Sequence, residues 1–197
     1  NEQVRVVPSS TITITFNMPM DTASVEAATT LTEAGGAVTT VYYEWSDENR
    51  VVVLNPADLL PLDTQFTLTV AASATSANGA AGMARDHNST FTTVPFPAVI
   101  STSPADGAVA DIWQRGFSVE FASPMNDETV DGTFSITPQP DDADYFINEW
   151  DEGYSVYVDF ELQPEVEYTV TVPGTAADLY GNTLGEDYTF TFSAPPF

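Results

Sequence analysis

Thr11-Ile12-Thr13-Ile14-Thr15-Phe16 alternates strictly between a small hydroxyl residue and a large apolar one. A period of two places Ile12, Ile14 and Phe16 on one face of a strand and the threonines on the other. The pattern returns in Phe117-Ser118-Val119-Glu120-Phe121, displaced by 105 residues at each apolar position. The following turn returns at the same spacing of 105, Met18-Pro19-Met20-Asp21 against Ser123-Pro124-Met125-Asn126. So does Glu44-Trp45-Ser46-Asp47 against Glu149-Trp150-Asp151-Glu152. Phe66-Thr67-Leu68-Thr69-Val70 then meets Tyr168-Thr169-Val170-Thr171-Val172 at 102, Asn78-Gly79 lies level with Tyr180-Gly181, and Thr90-Phe91-Thr92 meets Thr189-Phe190-Thr191 at 99. An ordered series of matches with small length changes between them is a tandem duplication.

Each copy is a string of short alternating segments separated by Gly, Pro, Asp and Asn. Thr, Val, Tyr and Phe dominate them, as half-buried pleated surfaces favour. Val156, Val158 and Phe160 make a further apolar face, with Tyr157 and Asp159 turned out. About seven short strands in about 95 residues, with frequent turn signals, predict an antiparallel β-sandwich. The fold class is therefore all-β: two tandem antiparallel β-sandwiches, over residues 1–94 and 95–197. Only Ala23 to Thr30 and Ala57 to Leu60 fit a turn or two of helix. Val94-Pro95-Phe96-Pro97 joins the copies, and two prolines there favour a short extended joint over a floppy tether. At the spacing of 105, Asn1 lies level with Asp106, so copy one has no counterpart of Val99-Ile100-Ser101-Thr102-Ser103-Pro104. That run reads as the first strand of copy two. The expectation is that the first sandwich lacks its opening strand or receives it from elsewhere. The chain then reads as a fragment of a longer multidomain protein, with Ala194-Pro195-Pro196-Phe197 resembling the start of a second joint.

The 197 residues carry 29 acidic side chains against 4 basic ones, all Arg, for a formal net charge of -25. Nucleic acids and anionic membranes recruit Lys and Arg to displace counterions, so both are excluded as partners. No apolar run approaches the roughly 20 residues of a membrane span. Without cysteine there is no disulfide framework, Cys nucleophile or Cys-ligated zinc. The charge is uneven. Residues 1–94 hold 10 acidic residues and 3 Arg, a net of −7, and residues 95–197 hold 19 and 1, a net of −18.

Most of the distinctive residues have a mechanical explanation. Gly79 and Gly181 fall where a tight turn requires positive φ, and Asp178 is placed to accept backbone N–H bonds there. Trp45 and Trp150 occupy equivalent positions, which favours packing against a sheet end. The rival use of an indole is a sugar-stacking platform, with Tyr42, Tyr43, Tyr145, Phe146 or Tyr154 nearby. Asp141, Asp142, Asp144, Asp151 and Glu152 form the densest acidic cluster. Ca²⁺ is the cation such oxygens would take, yet no Asp-x-Asp-x-Asp-Gly loop is present, and a solvated acidic surface is the default. His87, the single imidazole, lies in Arg85-Asp86-His87-Asn88-Ser89, which reads as a polar loop before the last strand of copy one. No nucleophile elbow, phosphate loop or His-based metal spacing accompanies it. The expectation is a protein that is not an enzyme.

Copy two runs Ser103-Pro104-Ala105-Asp106-Gly107-Ala108, then Phe121 to Asn126, then Leu162-x-Pro164-x-x-x-Tyr168-x-Val170-x-Val172, then Asp178-Leu179-Tyr180-Gly181-Asn182, then Thr189-Phe190-Thr191. This order resembles the bacterial immunoglobulin-like domain of the type found in S-layer proteins. Copy one departs from it in lacking the opening Ser-Pro-Ala-Asp-Gly run and in having Thr75-Ser76-Ala77-Asn78-Gly79 for the Asp-x-x-Gly-Asn element. More narrowly, Pro19 to Ala28, Ser76 to Gly79 and Asp178 to Leu184 resemble the Ig-like pair ahead of the macroglobulin domains in some bacterial alpha-2-macroglobulin-like proteins. The resemblance implies two immunoglobulin-like sandwiches in a secreted or envelope-anchored protein, without cofactor or catalytic residues. Their partners would be neighbouring domains of the same parent chain, or protein or glycan at the cell envelope. A carbohydrate-binding or adhesion module using exposed aromatics is the alternative.

Overall fold

The computed structural model describes residues 2–148 and 153–196, with side chains from Arg5 onward. It divides into two compact units, Asn1–Pro95 and Phe96–Phe197.

In chain order the first unit has β1 (Glu2–Val6), β2 (Ile12–Thr15), α1 (Thr22–Ala28), β3 (Thr29–Glu33), β4 (Val38–Thr39), β5 (Val41–Ser46), β6 (Val51–Pro56), β7 (Gln65–Val70) and β8 (His87–Thr93). One sheet has the order β1-β8-β7-β3-β4 and the other β2-β6-β5. All pairings are antiparallel except β1 with β8. Alternation decides what goes inside. On β7, Phe66, Leu68 and Val70 are buried while Gln65, Thr67 and Thr69 are not, and on β6 Val52 and Leu54 face in. Leu31, Val52, Leu54, Leu60, Phe66, Leu68 and Phe91 form the core between the sheets. A second cluster of Met20, Val25, Ala28, Val70 and Ala74 sits under α1. That helix starts where Asp21 accepts the Ser24 N–H at 2.8 Å and stops at Thr29, which turns extended.

The second unit repeats this plan with β9 (Val99–Ser103), β10 (Ala108–Val109), β11 (Phe117–Phe121), α2 (Asp127–Val130), β12 (Ser135–Thr137), β13 (Asp144–Ile147), β14 (Ser155–Asp159), β15 (Glu167–Val172) and β16 (Tyr188–Ser193). Its sheets have the orders β10-β16-β15-β12 and β13-β14-β11-β9. Phe117 lies at the centre of its core, with Phe134, Phe160, Phe190 and Phe192 all at ring-centroid distances between 5.5 and 6.2 Å. Offset and edge-to-face rings of this kind add to the burial of their area.

Topologically β1 corresponds to β10, β2 to β11, and α1 to α2. Strand β9 has no counterpart among the described residues of the first unit. Its absence shows in the burial of the neighbouring strand. Phe117, Val119 and Phe121 on β11 are fully buried, whereas Ile12, Ile14 and Phe16 at the same positions in the first unit are half-buried.

Several local expectations are corrected. Thr29 and Thr30 belong to β3, because pairing with Val70 and Thr69 outcompetes another helical turn. Ala57 to Leu60 forms no helix. The Ala57 and Leu60 N–H groups donate to Thr40 O and Pro8 O at 2.9 and 3.0 Å, and those bonds to other segments hold the run irregular. His87, Asn88 and Ser89 are the start of β8 rather than a loop, since β7 extends far enough for His87 to face Val70. The short α2 was not foreseen; Asn126, level with Asp21, caps it by accepting the Glu128 N–H at 3.1 Å.

Candidate functional site

The two tryptophans singled out above have separate outcomes. Trp45 on β5 is half-buried, stacks on Phe16 at 6.4 Å, and donates from Nε1 to Glu26 Oε1 at 2.9 Å. It is pinned between the sheet and α1, which is the packing role. Beside it, burial and then the Glu26 charge push the Tyr43 hydroxyl above its ordinary value. Tyr42, the next residue, faces the opposite side and is exposed. Trp150 lies outside the described residues, together with Glu149, Asp151 and Glu152.

In the second unit two exposed aromatics share one sheet face. Phe146 on β13 and Tyr157 on β14 are directly opposed, with ring centroids 6.5 Å apart, and are 53% and 37% exposed. Tyr145 points the other way, edge-on to Phe134 at 5.7 Å, and burial followed by the Asp131 charge raises its pKa. Tyr154 closes the end of the hairpin, its carbonyl accepting the Phe121 N–H at 2.7 Å. The Tyr157 hydroxyl donates to Arg115 O at 2.6 Å, and Arg115 Nε lies 2.8 Å from Asp159 Oδ1. Burial, then Asp159, raises the Tyr157 pKa, while Arg115 opposes the rise. Two residues before Arg115, Trp113 is 86% exposed, with Ile112 beside it also exposed. Sequence reasoning passed over Trp113. Its signal was there, an aromatic in Asp111-Ile112-Trp113-Gln114 belonging to no alternating segment. Arg115 and Glu161 line both a groove of about 480 Å³, with Asp144, Asp159 and Gln163, and a smaller hollow of about 190 Å³ beside Trp113 and Gln114.

Asp141, Asp142 and Asp144 border that larger groove but do not converge. Asp144 sits on β13 facing Asp159, while Asp141 and Asp142 stand exposed in the preceding turn. Among the described residues no three His, Asp or Glu side chains are placed to share a metal ion. The suggested calcium cluster is thus not assembled from these three, and Asp151 and Glu152 lie outside the described residues. His87 is exposed at a strand end.

The Asp178 turn is structural. Asp178, 1% exposed, accepts the Tyr180 and Asn182 N–H groups on Oδ1 at 2.9 and 2.8 Å, and the Ser123 hydroxyl on Oδ2 at 3.3 Å. In the first unit two residues divide the task. Ser76 Oγ accepts the Ala81 N–H at 3.1 Å, and Asn78 Oδ1 accepts the Ala80 N–H at 3.0 Å. Gly79 and Gly181 have φ of 67° and 86°, which glycine adopts without a Cβ penalty.

The family described as bacterial Ig-like domain matches the chain twice, over residues 1–93 and 95–194. No match to a curated protein was found. Among solved structures, the N-terminal part of the bacterial S-layer protein SbsC is 16% identical at a TM-score of 0.37, over 94% of this chain and 42% of that one. The Escherichia coli alpha-2-macroglobulin fragment spanning domains MG0-NIE-MG1 is 15% identical at 0.40, over 98% and 69%. L,D-transpeptidase 3 from Mycobacterium tuberculosis is 20% identical at 0.32, over 98% and 71%. The chain spans less than half the length of the S-layer structure it matches.

Proposed function

The chain belongs to the bacterial Ig-like domain family in both of its halves, and from that premise we propose that it is a non-catalytic pair of spacer and docking modules in a larger secreted or envelope-anchored bacterial protein. The observation that carries this reading is that each half has a hydrophobic core of its own, with Pro95-Phe96-Pro97 between them. Two separately cored units joined by a proline-stiffened segment suit the task of holding neighbouring domains of one polypeptide at a set spacing. An acidic surface keeps such a module soluble and discourages acidic partners. An alpha-2-macroglobulin-like parent is the narrower form of the reading and rests on motif resemblance.

Single-molecule energy transfer between dyes on the two units tests the spacer role. The native chain is expected to give a narrow distance distribution that broadens in the Pro95→Gly, Pro97→Gly double variant. An equally broad distribution in both chains would count against it, as would turnover of an envelope substrate by the purified protein.

One observation favours a second reading, an adhesion or carbohydrate-binding role. Phe146 and Tyr157 form an exposed aromatic pair on a flat sheet face, with Trp113 exposed in the β10–β11 loop. The surrounding Asp144, Asp159 and Glu161 would select neutral over anionic glycans. Binding to a glycan array that survives Tyr42→Ala but is lost in Phe146→Ala and Trp113→Ala would favour this reading; a blank array would remove it.

A further inference from the structure

Methionine is scarce in this chain and unevenly placed. Three of its 4 methionines, Met18, Met20 and Met83, line one hollow of about 240 Å³ in the first unit. The fourth, Met125, is buried in the core of the second unit. Two segments far apart in sequence supply the three thioethers, the turn after β2 and the run ahead of β8. Residues 74–77 tie those segments together. Met83 N donates to Ala74 O at 3.1 Å and Ala77 N to Pro19 O at 3.0 Å, while Met20 and Ser76 form an antiparallel bridge, as do Thr75 and Gly82. From another side Met20 N donates to Asn49 O at 3.0 Å. Met83 packs on the apolar cluster that holds Met20. The backbones are thus fixed, while each side chain keeps rotatable bonds with which to bring its sulfur to a shared point.

The second unit shows which of these methionines packing accounts for. Met20 and its counterpart Met125 are both buried, so a thioether at that place fills a core. Met18 is level with Ser123. Met83 is level with Leu184, whose N–H donates to Ala176 O at 2.9 Å as that of Met83 does to Ala74 O. A hydroxyl and a hydrocarbon therefore serve the same two places in the other copy. Met18 is also 38% exposed, and a side chain that far in solvent is not there to fill a core.

The donors decide what such a hollow takes. Among the described residues that line it, none carries a carboxylate or an imidazole. Calcium and magnesium need several oxygen ligands, and zinc is held by thiolates, imidazoles and carboxylates. Thioether sulfur is soft, uncharged and without a proton to lose, and Cu(I) is the ion that such ligands select. We propose that Met18, Met20 and Met83 form a three-sulfur site for Cu(I) in the first unit. The net charge of -25 raises the concentration of any cation at the surface from which the exposed Met18 is reached.

The test titrates the 197-residue chain, labelled at its methionine methyl groups, with Ag(I) in chloride-free buffer as a redox-inert stand-in. A parallel titration uses Cu(I) kept reduced by ascorbate without oxygen. Both are expected to saturate at a single equivalent, shifting the methyl signals of Met18, Met20 and Met83 and leaving that of Met125 in place. Met18→Leu and Met83→Leu conserve volume and leave the fold intact. Each is expected to weaken binding by about tenfold or more, since even losing a group behind a metal ligand costs that much. Met125→Leu is expected to change nothing. Affinity is expected to hold from about pH 7.5 down to about pH 5, because thioethers carry no proton, whereas His87 would give up a metal as it protonates. Two results would overturn the proposal. One is millimolar Ag(I) that moves none of the three methyl signals. The other is binding of undiminished affinity in both Met18→Leu and Met83→Leu, which would mark an adventitious ion held elsewhere on the acidic surface.

Discussion

Asp178 Oδ1 accepts the backbone N–H of Asn182 at 2.8 Å, inside a turn where the carboxylate is almost wholly buried. The same oxygen takes the Tyr180 N–H, and the other takes the Ser123 hydroxyl and one Asn182 Nδ2–H. Removing the carboxylate strands several donors at once, the buried Ser123 hydroxyl and the half-buried Tyr180 and Asn182 N–H groups. Asp178→Ala is expected to destabilise the second unit by about 2–4 kcal/mol. Asp178→Asn keeps Oδ1 for the backbone and is expected to lose about half as much. Chemical denaturation followed on the second unit's resolved methyl signals checks both values.

Two glycines with positive φ make opposite predictions about space. A Cβ on Gly116 (φ 59°) would overlap the Val158 carbonyl oxygen on the adjacent strand, so β11 and β14 would have to part. Gly116→Ala is expected to cost roughly 3 kcal/mol or more, adding steric separation of the sheet to backbone strain. Gly181 (φ 86°) has nothing within 4 Å of its hypothetical Cβ, and Gly181→Ala is expected to cost only the backbone term, about 1 kcal/mol. Thermal melts of the two variants should separate clearly.

The β5–β6 connection stores strain that glycine would release. Asp47, Glu48 and Asn49 have φ of 49°, 53° and 63°, three consecutive non-glycine residues in the left-handed region. Glu48 is exposed, so its side chain can go without loss of packing. Glu48→Gly is expected to stabilise the first unit by about 1 kcal/mol, since left-handed backbone costs an L-residue about that much. A melt lower than that of the native chain would disprove this account of the loop.

These turns also show where sequence reasoning reached and where it stopped. Strict alternation at Ile12 to Phe16 and Phe117 to Phe121 was legible because a strand's two faces see different solvents. The Asx turn was legible because Asp178 and Gly181 carry their backbone geometry in their chemistry. What escaped was set by partners distant in sequence. Helix and loop at Thr29 and Ala57 are decided by bonds to Val70 and Thr40, and the strand start at His87 by the reach of β7. The exposed face was least legible. Phe146 and Tyr157 lie in separate segments and become a pair only when β13 and β14 are brought together, and Trp113 belongs to no alternating segment. Asp141, Asp142 and Asp144 show the converse, since closeness in sequence does not bring these three together in space.

Alkaline pH should loosen the second unit partly through Tyr145. Burial, reinforced by Asp131, holds its folded pKa above the ordinary value of about 10. In that range the folded chain keeps a proton that the unfolded chain releases, so stability falls as pH rises. The contribution is complete below about pH 10 and disappears as pH passes the raised folded value. Tyr145→Phe has no proton to lose and is expected to show a flatter decline in denaturation midpoint between about pH 9 and 11.5. Equal slopes in native and variant chains would show that folding does not raise the Tyr145 pKa.

Phe121 and Phe16 are the same residue in two copies, and their alanine variants should not cost the same. Phe121 is fully buried between β14 and β9, so Phe121→Ala is expected to cost about 3–5 kcal/mol, transfer and cavity together. Phe16 is half-buried at the open side of β2 and stacked on Trp45, and water can enter the space its ring leaves. Phe16→Ala is expected to cost about 1–2 kcal/mol, roughly half the transfer value of a fully buried ring plus the lost stacking. Urea unfolding of the native chain and the two variants measures that difference directly. Equal penalties for the two variants would mean that the half-buried Phe16 ring carries as much of its core as the enclosed Phe121 ring does.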